Sequence, residues 1–301
     1  MGTVWSLRLD NPGLMALDHV HSALEGAFAE VISQMSTWEP ESEICRFNRA
    51  PAGELQPISP AFLSVLECAL HWARASDGAI DPTAGALVAL WGFGANASSR
   101  GMPSVAQIEQ ARATVGWQRL EVDADSAAIR QLGGVALDLS GIAKGFAVDC
   151  ASASLIAIGL QDFILEVGGE LRAVGKRPDG RPWRVQVEAA EGRAWTLPLN
   201  DMSIATSGDR WFNHSADGRS WSHTIDPRSG QPVDHALASV SVMHAECMQA
   251  DALATLLTVL GPEDGLAFAD AHELAALFVV RGTDGALTPV ASSRWPALVE
   301  A

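Results

Sequence analysis

The chain contains no tyrosine, although it has ten tryptophans and nine phenylalanines, so any aromatic stacking on a ligand must come from Trp or Phe. Its four cysteines, Cys45, Cys68, Cys150 and Cys247, lie far apart and form no CxxC pair. That argues against a zinc site or a disulfide framework and predicts reduced, mostly buried thiols. Basic residues are scarce: 20 Lys and Arg against 36 Asp and Glu give a net charge of −16. Nucleic acid and anionic membranes both reward a basic face, so neither is expected as a partner. No run of about 18 uninterrupted apolar residues occurs, and no membrane span is predicted. The first residues, MGTVWSLRLDNP, are neither basic nor long and apolar, and no signal peptide is read there. A cytoplasmic location is the expectation, with a trimmed leader to the periplasm or cell surface as the alternative. Low-complexity blocks, repeats and long linkers are missing as well.

What is present suffices for a substantial core: 301 residues, 48% of them hydrophobic, read as a single domain over 1–301. Apolar residues from Leu17 to Met35 recur at helical spacing. Ser59-Pro60 opens a second helix to about Ser76, by the cap-then-proline signal. Ser104 and Gln107 form a capping box, with Gly116 as the stop. Strands are predicted near Leu120, Ile129 and 135–139, then a helix over 142–158 ended by Gly159. Further strands fall near 163–167, 171–174, 183–188, 194–199, 203–206 and 238–243. A helix containing Asp251, another over 263–271 and a hairpin turning at Asp284-Gly285 close the chain. Meanders mixed with helices, without βαβ alternation, predict an α+β fold with a mixed, largely antiparallel sheet core and packed helices.

Five segments carry more chemistry than this framework needs. Asp251 is the only charged residue between Cys247 and Pro262, and a lone carboxylate on an apolar helix is costly unless neutralised. Thr255, four residues on, shares its face. Two hard oxygens suit Mg²⁺; a solvent-facing or capping aspartate is the plainer alternative. In VALDLSGIAKG, a strand, Ser140-Gly141 and a helix bearing Lys144 make either an anion site or an ordinary β–α turn. The GxxxxGK[ST] spacing of a P-loop is absent. His223, in SHTIDPRSGQPV, is a candidate general base or one of several structural histidines. DGAIDPTAGALVALWGFG, with Asp81, reads as a ligand wall or as core. Trp38 falls in a loop after the first helix and is a candidate stacking platform.

Together these segments resemble the ApbE-type FAD:protein FMN transferases. The resemblance is carried by Met1-Gly2-Thr3 with Trp5, MSTW…SEICRFN, GAIDPTAGALVALWGFG, LDLSGIAKGFAVD, EVGGELRAVG with the later PWRV, IATSGD, HTIDPRSGQPV and ADALAT. They stand in family order and span nearly the whole chain. The resemblance implies an enzyme that binds FAD and Mg²⁺, moves FMN onto a threonine or serine hydroxyl of an acceptor flavoprotein, and releases AMP. It implies that Asp251 and Thr255 are metal ligands and that Gly141 offers a backbone carbonyl. Ala254 stands where some members place a further metal contact. Met1, Trp38, Ala79, Ile80, Asp81, Asp138, Lys144 and Ile225 match positions lining the FAD site, and His223 matches the base that deprotonates the acceptor. Many members have Tyr where this chain has Trp38; Trp also stacks on a flavin ring. Mg²⁺ is preferred to Mn²⁺, which accepts the same oxygens. An Mg²⁺-dependent FAD pyrophosphatase, with water replacing the acceptor, and a non-enzymatic FAD-binding protein are the rival readings.

Overall fold

A computed structural model describes residues 3–97, 101–190, 193–208, 213–216 and 219–295. The elements begin with β1 (Trp5–Leu9), α1 (Leu17–Met35), α2 (Glu43–Arg49), β2 (Gln56–Pro57), α3 (Pro60–Ala75), α4 (Gly85–Leu90) and α5 (Val105–Arg112). Then come β3 (Leu120–Asp123), β4 (Ala128–Gln131), α6 (Ala143–Ala157), β5 (Phe163–Val167), β6 (Glu170–Val174), β7 (Trp183–Ala190), β8 (Arg193–Leu199) and β9 (Met202–Gly208). The chain continues through β10 (Asn213–Ala216), β11 (Arg219–Ser222), β12 (Ile225–Asp226), β13 (Gln231–Pro232), β14 (Leu237–His244), α7 (Cys247–Ala271), β15 (Ala275–Arg281) and β16 (Leu287–Ala291). The α+β class is as predicted. The described residues form two compact units: one within 31–141 and 213–235, the other within 3–30, 142–208 and 236–295.

In the first unit the helix starts follow local chemistry. Ser59 Oγ accepts from the Phe62 N–H at 3.2 Å with Pro60 in the first turn of α3. The Ser104/Gln107 capping box opens α5, which ends at Arg112, short of the predicted stop at Gly116. Ser42 Oγ accepts from Cys45 N–H and caps α2, a helix to which the sequence signals assign no element. The strand predicted at 135–139 is extended but joins no ladder beyond one bridge between Ala84 and Ala136. Side chains take its backbone instead. Gln131 Oε1 accepts from Val135 N–H at 2.9 Å. Asn48 accepts from Leu137 N–H at 2.7 Å and donates back to Leu137 C=O at 3.0 Å. Trp91 belongs to a core cluster with Leu87, Trp221 and Ile225, so this part of the GAIDPTAGALVALWGFG segment is core.

The second unit is layered. Its seven-stranded sheet runs β1-β5-β6-β9-β14-β15-β16, antiparallel at every pairing. Helices α6 and α7 pack on each other and on the sheet. The β7–β8 hairpin buries Trp183, Val185, Leu197 and Leu199 against Ile164, Ala173, Ile204 and Met243. Side chains alternate across a strand. Leu171 and Ile204 are opposite partners and pack with the hairpin cluster, so Glu170, Arg172 and Ser203 face the helices. By length and composition α7 is apolar enough to cross a membrane; here most of its first half is buried against the sheet and α6, as in a core helix. Gly261 (φ 80°) and Pro262 kink it, at the point where two helices are predicted.

Candidate active site

Asp251 sits in the second turn of α7 and is 3% exposed. Its helix starts at Cys247 with no side-chain cap of its own. Asp149 of α6 supplies one: its carboxylate accepts from Cys247 N–H at 3.0 Å and Met248 N–H at 2.9 Å. The same carboxylate pairs with Arg172 at 2.6 Å. The two helices approach closely at Gly145, whose N–H donates to Asp251 Oδ2 at 2.9 Å. An anion does therefore sit at the start of α6, and it is the protein's own aspartate. Lys144 hydrogen-bonds Glu170 and stands 3.8 Å from Asp251 Oδ1. Thr255, one turn beyond Asp251, lies 3.3 Å from Ser207 Oγ. Ala254 is wholly buried and has no ligand atom to offer.

The electrostatics are those of a charge-dense buried cluster. Burial raises the Asp251 carboxyl above its ordinary value, and Lys144 and the Gly145 N–H only partly oppose it. Burial and repulsion from Asp251 push Glu170 up to about 8, against the pull of Lys144. Burial acts to lower the Lys144 ammonium, but Asp251 and Glu170 outweigh it, so its pKa rises and it stays charged. With every group ionised, three carboxylates (Asp149, Glu170, Asp251) face two cations (Lys144, Arg172), leaving one negative charge over, and the raised Glu170 pKa is the cluster's response to that surplus. Glu170 Oε2 and Ser203 Oγ are buried with no hydrogen-bond partner among the described residues. A formal surplus charge and an orphaned Glu170 oxygen in the cluster that holds Asp251 fit a hard divalent cation. Among the described residues no three His, Cys, Asp or Glu side chains form a ready-made metal cluster, so such an ion would draw on hydroxyl and carbonyl oxygens too.

The first unit holds the other expected site residues. Trp38, between α1 and α2, is 70% exposed and free to present its ring. Ala79 is fully buried and Ile80 partly so. Asp81 is spent on the fold: Oδ1 accepts from Thr83 N–H at 2.8 Å and Thr83 Oγ at 2.6 Å, and Oδ2 from Trp117 N–H at 2.9 Å. Burial nevertheless raises its pKa. A cavity of about 430 Å³ opens beside it, lined by Gly78, Trp117, Pro227 and Arg228 among others. Asp138 accepts from Ser140 N–H at 2.8 Å and Ser140 Oγ at 2.5 Å, just before Gly141. Ile225 packs in the Trp91 cluster. His223 lies edge-on to Phe93, ring centroids 6.3 Å apart. Met1 lies outside the described residues, as does Asp209 of the IATSGD motif.

A model of the ApbE family matches residues 1–278. The chain belongs to the ApbE family. Its curated relatives include the FAD:protein FMN transferase of Vibrio cholerae, 35% identical over 303 residues and covering 99% of this chain and 90% of the relative. That of Haemophilus influenzae is 34% identical, covering 100% and 90%. Among solved structures, the apo form of the Pseudomonas stutzeri flavinyl transferase ApbE superposes with a TM-score of 0.92 at 36% identity, covering 100% of this chain and 95% of that one. The Vibrio cholerae flavin transferase ApbE gives 0.90 at 34%, covering 99% and 96%. Within this ApbE chain, sequence reasoning brings out Lys144, Asp251 and Thr255, which the fold gathers in one unit. It misses Glu170 and Asp149. The available signal for Glu170 was a charged residue on the helix-facing side of a strand, directly after Gly168-Gly169.

Proposed function

We propose that this chain transfers FMN from FAD to a threonine or serine hydroxyl of an acceptor flavoprotein, with release of AMP and dependence on Mg²⁺. The names of the full-length relatives support the transferase reading. The observation that carries the site is the buried Asp251 carboxylate beside Thr255, with a local surplus of one negative charge. In the reaction, the acceptor hydroxyl oxygen bonds to the FMN phosphorus, the bridging P–O bond breaks and AMP departs with the bridging oxygen. His223 takes the hydroxyl proton. Trp38 would stack on the flavin ring, and Asp251 and Thr255 would hold the divalent ion. Bound there, that ion supplies charge neutralisation on the pyrophosphate, the main demand of phosphoryl transfer. Lys144 offsets charge that the overall −16 would otherwise oppose.

The test is to incubate the protein with FAD and Mg²⁺, with and without a candidate acceptor domain, and follow AMP release and covalent flavin by mass. AMP and flavinylated acceptor appearing only together support the transferase. AMP without acceptor identifies a pyrophosphatase, and no AMP in either arm identifies a carrier.

A further inference from the structure

We propose that Glu170 is a positioning residue that keeps Asp251 open to a cation by holding Lys144 away from it. This rests on the metal-dependent reading above. The charges of the α6–β6–α7 cluster are sorted into dedicated pairs. Arg172 belongs to Asp149, and Lys144 hydrogen-bonds Glu170. Asp251 is the carboxylate left over. Its Oδ2 takes the Gly145 N–H, while Oδ1 has Lys144 no nearer than 3.8 Å, beyond hydrogen-bond length. Oδ1 therefore accepts no hydrogen bond from the described residues, and it points from the helix that also carries Thr255.

Glu170 is the reason the ammonium does not close that gap. It is the first residue of β6 and faces the helices, its side chain is 3% exposed, and a strand holds it more firmly than a loop would. In the ionised cluster, which a bound cation favours, removing its charge while keeping its shape would leave Lys144 one carboxylate to bind instead of two. The ammonium would then settle on Asp251 and compete with the metal for the same oxygen. A ligand tethered in the same site competes at high effective concentration, so the loss should be large. It should also disappear when the lysine is removed, which a merely structural role for Glu170 does not predict.

The experiment is a Mn²⁺ titration of the full chain without FAD or acceptor, so that the role of Lys144 toward FAD does not enter, reading free Mn²⁺ by electron paramagnetic resonance. Circular dichroism checks the fold of each variant. Wild type should show one saturable site and Asp251→Ala none. Glu170→Gln should bind about tenfold more weakly, the scale of a direct charge coupling, and Glu170→Gln with Lys144→Met should recover the lost affinity. Glu170→Gln binding like wild type, or a double variant no tighter than Glu170→Gln, overturns the proposal alone. No saturable wild-type site, or a site surviving in Asp251→Ala, overturns the metal reading and this inference with it. Should Glu170→Gln fail to fold, Glu170→Asp takes its place: its shorter reach should weaken binding in a way that Lys144→Met relieves, and unchanged binding refutes the proposal.

Discussion

Replacing Gly145 by alanine sets two expectations of opposite sign against each other. In an ordinary helix the change stabilises by at most about 1 kcal/mol, because alanine is the better helix former. Here a Cβ would lie 2.3 Å from the Cys247 carbonyl oxygen, 2.7 Å from its carbon and 2.8 Å from Asp251 Cβ. Those atoms belong to a buried helix and cannot swing aside. Restoring ordinary contact requires α6 and α7 to part by roughly 1 Å. Overpacking of this kind costs about 1–3 kcal/mol. Separation also strains the Gly145 N–H bond to the Asp251 carboxylate, and hydrogen bonds to charged groups contribute about 1.5–3 kcal/mol. The net is a destabilisation of about 2–5 kcal/mol. At about 2–4 °C per kcal/mol for a chain of this size class, the thermal midpoint should fall by about 4–20 °C in a calorimetric scan. A midpoint unchanged or raised would mean that the helices do not meet at this residue, and the geometry assigned to Asp251 would go with it.

Four further outcomes are expected. Asp251→Ala should abolish metal-dependent turnover while far-UV circular dichroism stays native, since Lys144 keeps Glu170 as partner; retained turnover would remove Asp251 from the metal site. His223→Ala should slow transfer far more than it weakens FAD binding, measured by single-turnover kinetics and fluorescence titration, and equal losses would end its role as base. Glu170 has its folded pKa raised from 4.5 to about 8, so the native state holds a proton that the unfolded chain has released. Its stabilising contribution is full below about 4.5 and lost as pH rises to about 8. Without divalent metal, the thermal midpoint of Glu170→Gln should therefore gain on that of wild type across this window, and a constant difference would contradict the shift. Asp81→Ala strands the Trp117 N–H and both Thr83 donors, so it should cost about 1–3 kcal/mol or more in denaturant unfolding; no loss would show that water replaces the carboxylate there.

Much of this molecule was legible because its signals were local. Ser59-Pro60 and the Ser104/Gln107 pair specify helix starts through bonds spanning three residues. The Gly261-Pro262 break is written in the two residues that cause it. What escaped reading was non-local or short. Helix α2 is only seven residues long, too short for periodicity to show. The 135–139 segment has a strand's composition but gives its hydrogen bonds to Asn48 and Gln131, and composition cannot reveal who accepts a bond. In the site, Asp251 stood out as a charge on an apolar helix. Glu170 and Asp149 did not, because charged residues in a polar-looking strand and near the middle of a helix are common. Their importance lies in facing Lys144 and Arg172 across elements distant in sequence.

The cap that Asp149 places on α7 reaches across 98 residues of sequence. A helix that closes its own first turn can nucleate alone, but this one waits for α6 to arrive. Amide exchange at Cys247 and Met248 should accordingly slow only once α6 has docked, during refolding and not before. The Asp251 carboxylate is thus readied by long-range assembly: on the metal-dependent reading proposed above, the chain would stay metal-blind until its polypeptide has come together.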